Sequence, residues 1–293
     1  MLWMALCAAA WLLSLPAQAQ ERATAAERGE YLVQIAGGCR CHTDQKNNGA
    51  ALAGRRSIKT PFGTLYGTNL TPAEKTGLGQ WSEADFIRAM TEGLDPQGSH
   101  LFPVFPYPSF TRMARTDLQD IWAFLGTVTP VEQPNREHAL WGPFGWRFPL
   151  GLWKRLFFTP GSFRPEPDRS PEWNRGAYLV RAVAHCAECH TPRNLMGGLK
   201  QDWAYAGSSD GPEGELAPNI TPDEATGIGS WRELDLVWFF QTGFKPDGDD
   251  VQGLMSELIE YGYQFMRESD MKAIYAYLRS LPPISNRLVK KKE

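Results

Sequence analysis

The sequence predicts a mainly α-helical chain made of two tandem domains with long loops rich in glycine and proline. Segments with helical apolar spacing precede two motifs that combine cysteine and histidine. No alternating apolar pattern typical of β-strands competes with them. A second observation is that most of the chain repeats itself once, at a nearly constant offset.

The best-preserved part of the repeat is a loop segment. Asn69-Leu70-Thr71-Pro72 recurs 150 residues later as Asn219-Ile220-Thr221-Pro222, and Trp81 recurs at the same offset as Trp231. Because the repeated unit is as long as a whole domain, we interpret it as a domain duplication rather than a solenoid. The predicted organisation is a first domain over 25–131, an aromatic linker over 132–171 and a second domain over 172–284.

Charge and the first residues restrict where the protein works. A formal net charge of -3 and a pI near 6.0 argue against a nucleic-acid partner. Leu2 to Leu15 is an apolar stretch too short for a comfortable membrane span, and an A-x-A cleavage site ending at Ala19 follows it. We therefore expect residues 1–19 to be a cleaved signal peptide for export, with a retained anchor as the alternative.

The motif Cys186-Ala187-Glu188-Cys189-His190 carries the clearest chemistry. In a C-x-x-C-H run, two thiols one helical turn apart bond the vinyl groups of a haem, and the histidine reaches the iron from the proximal side. The alternatives are a zinc site or a disulfide. Zinc needs further Cys or His ligands at suitable spacing, and no second pair of that kind is present.

The first copy of this motif is imperfect. In Gly38-Cys39-Arg40-Cys41-His42, glycine stands where the first cysteine is expected, and Cys39 comes one position late. One residue rotates a side chain by about 100° around a helix, so two thioethers here require a distorted turn. We expect Cys41 to be the secure anchor and Cys39 the less certain one.

Two further features predict how the domains pack. Gly29 and Gly176 lie in the first helix of each copy and suit a close crossing over the last helix, near Trp122 and Tyr275. The alternative is a helix start at which the glycine has no packing role.

The linker over 132–171 is too aromatic for a flexible connection, so we expect it to pack between the domains or to form a docking surface. A membrane-surface role is a weaker alternative, since few basic residues accompany the aromatics.

These residues resemble a known family, the tandem two-haem class I c-type cytochromes of bacterial periplasms. They are similar to cytochrome subunits of alcohol, aldehyde and sugar-acid dehydrogenases. The resemblance covers about residues 25 to 284 and is carried by four sets of residues: both haem motifs, both N-[LI]-T-P-x-x-x-T-G-[LI]-G-x-W segments, the run from His100 to Tyr107, and Glu172-Trp173-Asn174-Arg175-Gly176.

The resemblance implies two covalently bound haem c groups. His42 and His190 would be the proximal iron ligands, and Cys186 and Cys189 thioether anchors. The distal ligand in such domains is usually a methionine, which raises the potential. In the second copy we favour Met255, because it lies in the loop before the last helix. Met266 comes directly before that helix, where an apolar staple residue is expected.

The distal ligand of the first haem stays open. The loop position where relatives carry a methionine holds Phe105. Met113 is the nearest candidate, although the staple interpretation applies to it as it does to Met266. The alternatives are His100 and an open or water-filled sixth position. Each copy is expected to have a middle helix that begins after Trp81 or Trp231, and Met90 fits the buried face of the first of these helices.

Four loop residues offer hydrogen-bond donors to haem propionates: Asn69, Trp81, Asn219 and Trp231. For the asparagines the competing role is to fix loop turns, and for the tryptophans it is core packing.

Two haems without another catalytic constellation predict electron transfer. The expected protein is a periplasmic carrier or a cytochrome subunit, which relays electrons from a dehydrogenase toward a quinone or terminal oxidase and has redox proteins as partners. Peripheral membrane association is compatible with this role. The alternative is an enzyme acting on thiosulfate or peroxide at an open first haem. A third hypothesis makes the first copy haem-free.

Overall fold

The computed structural model describes residues 16–289, with side chains from residue 24 onward, and shows a mainly α-helical protein. Of the signal peptide expected over 1–19, residues 1–15 lie outside the described residues. Ten α-helices and three short strands are present in this part of the chain: α1 (Pro16–Ile35), β1 (Ser57–Thr60), β2 (Gly63–Tyr66), α2 (Glu83–Glu92), α3 (Tyr107–Phe110), α4 (Arg115–Leu125), β3 (Ala139–Leu140), α5 (Leu150–Phe157), α6 (Pro171–Tyr178), α7 (Ala187–His190), α8 (Glu233–Thr242), α9 (Gly253–Tyr261) and α10 (Glu268–Arg279).

The predicted helix crossings are confirmed. α1 packs on α4, and α6 packs on α10. A Cβ at Gly29 would lie 1.9 Å from the carbonyl oxygen of Asp120, and one at Gly176 would lie 1.8 Å from that of Ala273. Only glycine permits so close a backbone approach, so both residues set the distance between the paired helices.

The middle helices α2 and α8 begin just after Trp81 and Trp231, as the sequence predicts. Ser82 caps α2 by accepting a hydrogen bond from the Asp85 N–H at 3.1 Å. Each helix ends at a glycine in the left-handed region, Gly93 with φ +62° and Gly243 with φ +79°. The buried face of α2 includes Met90, as expected.

A small sheet accompanies the helices, although the sequence shows no alternating apolar pattern. β1 and β2 form an antiparallel hairpin around Phe62 and Gly63, and β3 from the linker pairs with β2. Gly63 has φ +122°, which suits a tight turn. The strands escape a periodicity search because they are only two to four residues long.

The segment around Met255 also differs from the expectation. We expected a loop there, but Met255 lies on α9. Leu254, Leu258 and Ile259 follow helical spacing and give the segment an apolar face. Met255 is partly buried and packs against the core.

The linker connects the two halves while leaving many of its aromatic residues exposed. On α5, Lys154 donates to the Gly93 carbonyl of the N-terminal half at 2.8 Å. The adjacent Trp153 donates its indole N–H to the Met196 carbonyl of the C-terminal half at 2.9 Å. Trp146 and Phe148 are 58% and 76% exposed. No helix among the described residues has the length and apolar character needed to cross a membrane.

Candidate haem sites

The second motif follows a regular helical turn. Cys186 is right-handed, with φ −55°, and immediately precedes α7, which carries Cys189 and His190. A separation of three residues on a helix brings both cysteines to one face. Burial raises the pKa of both thiols to about 12, so they remain protonated at neutral pH. This differs from the reactive thiolates of redox C-x-x-C motifs.

The first motif has a different backbone. Cys39 is left-handed, with φ 51°, and a single 3₁₀ turn covers Arg40–His42. Cys39 is partly buried, whereas Cys41 is exposed. Burial raises the pKa of the Cys39 thiol to about 12. The first motif has one residue between its cysteines where the second has two. The left-handed conformation of Cys39 and the tighter 3₁₀ turn accommodate this shorter spacing.

His42 and His190 are held in the same way. The Nδ1 of His42 lies 2.7 Å from the Thr68 carbonyl oxygen, and the Nδ1 of His190 lies 2.7 Å from that of Pro218. A carbonyl can only accept, so Nδ1 carries the proton and Nε2 keeps its lone pair for a metal. Burial lowers the pKa of both imidazoles, which favours the neutral, metal-binding form.

The amides of the two loop asparagines are used within the protein. Asn69 is 2% exposed; its Nδ2 donates to the Val131 carbonyl at 2.8 Å, and its Oδ1 accepts from Thr71. Asn219 donates to the Ile284 carbonyl at 2.7 Å in the equivalent arrangement. These contacts fix the loops, which is the competing role that the sequence allowed for both asparagines.

The two tryptophans remain available for a propionate. Trp81 and Trp231 are partly buried and pack against the core. Their indole N–H groups have no hydrogen-bond partner within the described part of the chain. The polar edge of each ring is thus free to donate, while its apolar body packs.

The methionines before the last helices behave as core residues. Met113 is 1% exposed and immediately precedes the N-cap of α4, and Met266 is 5% exposed at the same position before α10. Both positions are those of a hydrophobic staple. Phe105 lies in an aromatic cluster, with its ring centroid 5.7 Å from that of Phe110. His100 is engaged by Lys154, whose Nζ lies 2.9 Å from Nδ1.

The two motifs meet at the interface between the halves. Cys189 and Cys41 are close enough to interact electrostatically. Arg40 of the first motif stacks on Tyr261 of α9, and Glu188 of the second accepts a 2.9 Å hydrogen bond from Ser109 of α3. Nothing local in the sequence pairs these residues, and the signal for the contacts is the charged residue that stands between the cysteines of each motif.

The cysteines and the possible metal ligands bear on the disulfide and zinc alternatives within the described residues. The four cysteines there are unpaired, so no disulfide joins them. Within 24–289, no three His, Cys, Asp or Glu side chains converge to hold a metal ion. Paired thiols beside a histidine with a free Nε2 suit a covalently attached haem in each half.

Comparison with known proteins gives the same answer. A diheme cytochrome c-type protein of Cereibacter sphaeroides is 37% identical over 263 residues, which cover 88% of this chain and 86% of that protein. The fructose dehydrogenase cytochrome subunit of Gluconobacter japonicus is 37% identical over 271 residues, or 91% of this chain and 54% of that protein. The quinone alcohol dehydrogenase cytochrome c subunit of Komagataeibacter europaeus is 37% identical over 265 residues, or 88% and 56%.

The chain thus spans about half the length of the dehydrogenase subunits that it matches. No model of a protein family matches it. Its identity to the Cereibacter protein nevertheless extends over most of both chains. The chain therefore belongs to the family of dihaem c-type cytochromes.

Proposed function

We propose that the protein carries electrons in the periplasm, from a dehydrogenase toward a quinone or terminal oxidase. The observation that carries this proposal is the pair of motifs whose histidines each bind a backbone carbonyl through Nδ1 and keep Nε2 free. Haem c, when bound, supplies reversible one-electron chemistry. Export through a signal peptide over 1–19 is part of the proposal.

The proposal assigns a role to each residue of the two motifs. His42 and His190 hold the two irons, Cys186 and Cys189 anchor the second haem, and Cys41 anchors the first. Cys39 has the less favourable conformation for a thioether, because it is left-handed and one residue out of register. The two halves, over 25–131 and 172–284, are each a class I cytochrome domain, and Met255 is the distal ligand in the second.

The contacts that each motif makes with the opposite half favour electron exchange inside the molecule. Cys41 and Cys189 interact electrostatically, and both lie beside the contact between the halves. Haems attached at these cysteines would be held in the two halves on either side of this contact. One haem can therefore accept from a donor while the other delivers to an acceptor.

The dehydrogenase partner is inferred from the relatives. Their names describe cytochrome subunits of alcohol, fructose and gluconate dehydrogenases. A direct test adds candidate alcohols, sugars and sugar acids to a periplasmic fraction of the source organism and follows reduction of the purified protein. Reduction that depends on one of these substrates supports a dehydrogenase as the electron donor. If no substrate causes reduction, the proposed donor is contradicted.

The exposed linker suggests a second contact, with an anionic membrane surface. Residues 138–165 contain four basic residues and no Asp or Glu, and Arg155 is exposed without an ion pair in the described structure. Aromatic and leucine side chains beside cations are typical of interfacial segments. The exposed apolar side chains are Trp141, Phe144, Trp146, Phe148, Leu152 and Leu156.

Sedimentation with vesicles tests this contact. We expect binding to anionic vesicles to exceed binding to zwitterionic ones, and Trp146→Ser with Phe148→Ser to weaken it. Leu234→Ser is the matched control, because Leu234 is also exposed but lies on α8. Equal losses in both variants, or no binding, would contradict the proposal.

A second candidate function rests on Phe105. A phenylalanine cannot ligate iron, and its neighbours Tyr107 and Phe110 are also aromatic. If Met113 keeps its core position, the first haem has an open sixth site, where thiosulfate or peroxide could react.

Spectroscopy separates the two functions. Two low-spin haems that do not bind carbon monoxide when reduced support a pure carrier. A high-spin ferric signal together with carbon monoxide binding favours the enzyme.

A further inference from the structure

A buried polar cluster lies between the two haem motifs. Arg56 donates to Oε2 of Glu257 at 2.6 Å and approaches Oε1 of Glu213 at 3.2 Å. Arg40 lies 3.7 Å from Glu257, and its guanidinium carbon is 3.6 Å from the centre of the Tyr261 ring. Arg40 and Arg56 are both 7% exposed, so these contacts are largely shielded from solvent.

The cluster binds to α9, the helix that carries Met255. Glu257 and Tyr261 are both on α9, two and six residues after Met255. The other end of α9 is held by Glu215, whose Oε2 accepts from the Leu254 N–H at 2.9 Å. The position and rotation of α9, and with them the place of Met255, are therefore set partly by Arg40 and Arg56 of the other half.

The backbone of the first motif also packs against α9. Gly38 has φ +66°, and a Cβ there would lie 2.4 Å from the Tyr261 carbonyl oxygen. The chain thus packs directly on the end of α9, one residue before Cys39. Arg40 extends the same contact with a stack on the Tyr261 ring, an arrangement for which a planar guanidinium is well suited.

The cluster also reaches the proposed anchor of the first haem. Arg56, Glu213, Glu257 and Arg40 all act electrostatically on Cys41. The second motif shows a related arrangement, in which Glu188 accepts from Ser109 on α3, shortly after Phe105. In each motif, the charged residue between the cysteines contacts a segment of the other half.

We propose that Arg40 is a positioning residue that holds α9 so that Met255 can ligate the second haem iron. Attachment at the first motif is in this way coupled to distal ligation at the second. The inference rests on the proposed function, because it requires Met255 to be the ligand.

The test measures the methionine-to-iron charge-transfer band of the oxidised protein and the reduction potential of the second haem. We expect Arg40→Gln to lose roughly half of the band or more, as removal of a stacked cation shifts a ligation equilibrium. The second potential should fall, while covalent haem content is unchanged. Arg40→Lys should recover part of the band because it keeps the charge.

One further variant is a control, and a second tests the same contact from the side of α9. Arg115→Gln removes an exposed arginine at the start of α4 and should leave the band intact. Tyr261→Leu removes the stacking surface but no charge, and it should weaken the band even where Arg40→Gln fails to fold.

Met255→Leu separates the possible failures. If the band persists in Met255→Leu, both the ligand assignment and the inference are wrong. If Met255→Leu abolishes the band but Arg40→Gln and Tyr261→Leu leave band and potential unchanged, only the inference is overturned.

Discussion

The hydroxyl of Tyr31 donates a 2.7 Å hydrogen bond to Oδ2 of Asp270, across the boundary between the two halves. Tyr178 makes the reverse contact, donating to Oδ2 of Asp117 at 2.5 Å. Each hydroxyl also accepts a backbone N–H at the start of the same helix, from Arg267 at 3.0 Å or Ala114 at 3.1 Å. The two halves thus exchange equivalent tyrosines, and the first helix of each stabilises the start of the last helix in the other.

Removal of either hydroxyl should destabilise the contact between the halves. We expect Tyr31→Phe and Tyr178→Phe each to lower the free energy of unfolding by about 1.5–3 kcal/mol, the range for a hydrogen bond to a charged group. Urea titration measures the loss. Tyr275→Phe is the control, because its hydroxyl donates to the Trp231 carbonyl within one half. Its smaller loss should be about 1 kcal/mol. Wild-type stability in both interface variants would show that these hydrogen bonds do not stabilise the contact between the halves.

The same tyrosine should make stability depend on alkaline pH. Burial, together with the neighbouring Asp270, raises the pKa of Tyr31 from 10.0 to about 12. A raised pKa means that the folded state keeps its proton longer, so this stabilisation is complete below pH 10 and is lost as pH rises toward 12. Between these values the wild type should lose more stability than Tyr31→Phe. Parallel curves for the two proteins would rule out this contribution.

The glycine crossings should tolerate no side chain. Gly29→Ala and Gly176→Ala would each place a methyl within 2 Å of a backbone carbonyl oxygen, at 1.9 and 1.8 Å. The helices must separate, at a cost of about 3 kcal/mol or more. Gly126→Ala is the control: its φ is −67°, and the nearest atom to a new Cβ is 3.4 Å away. Thermal unfolding should show a large drop for the first two variants and little change for the third.

The cysteines of the first motif should differ in importance. We expect Cys41→Ala to lose the first covalent haem, and Cys39→Ala to retain it through the remaining thioether. The reason is the left-handed backbone at Cys39, which takes this thiol out of the helical register that the second motif shows. Intact-protein mass measures the attached haem directly. Loss of haem in Cys39→Ala but not in Cys41→Ala would reverse the assignment.

Much of the fold and of the candidate sites was accessible from the sequence. The haem motifs, the helix crossings at Gly29 and Gly176 and the start of α2 each depend on local spacing or a single backbone requirement. The interface contacts were not accessible, because Tyr31 and Asp270 are 239 residues apart and nothing local pairs them. The same holds for Arg40 and α9. The small sheet escaped because its strands are too short to show a period.

The central claim is that both halves carry a covalently bound haem c. A pyridine haemochrome assay, combined with amino-acid analysis, gives the number of haems per polypeptide. The arrangement of His42 and His190, each with Nδ1 bound to a carbonyl, predicts two. A value of one would contradict the account, because the first motif would then be a structural copy without a haem.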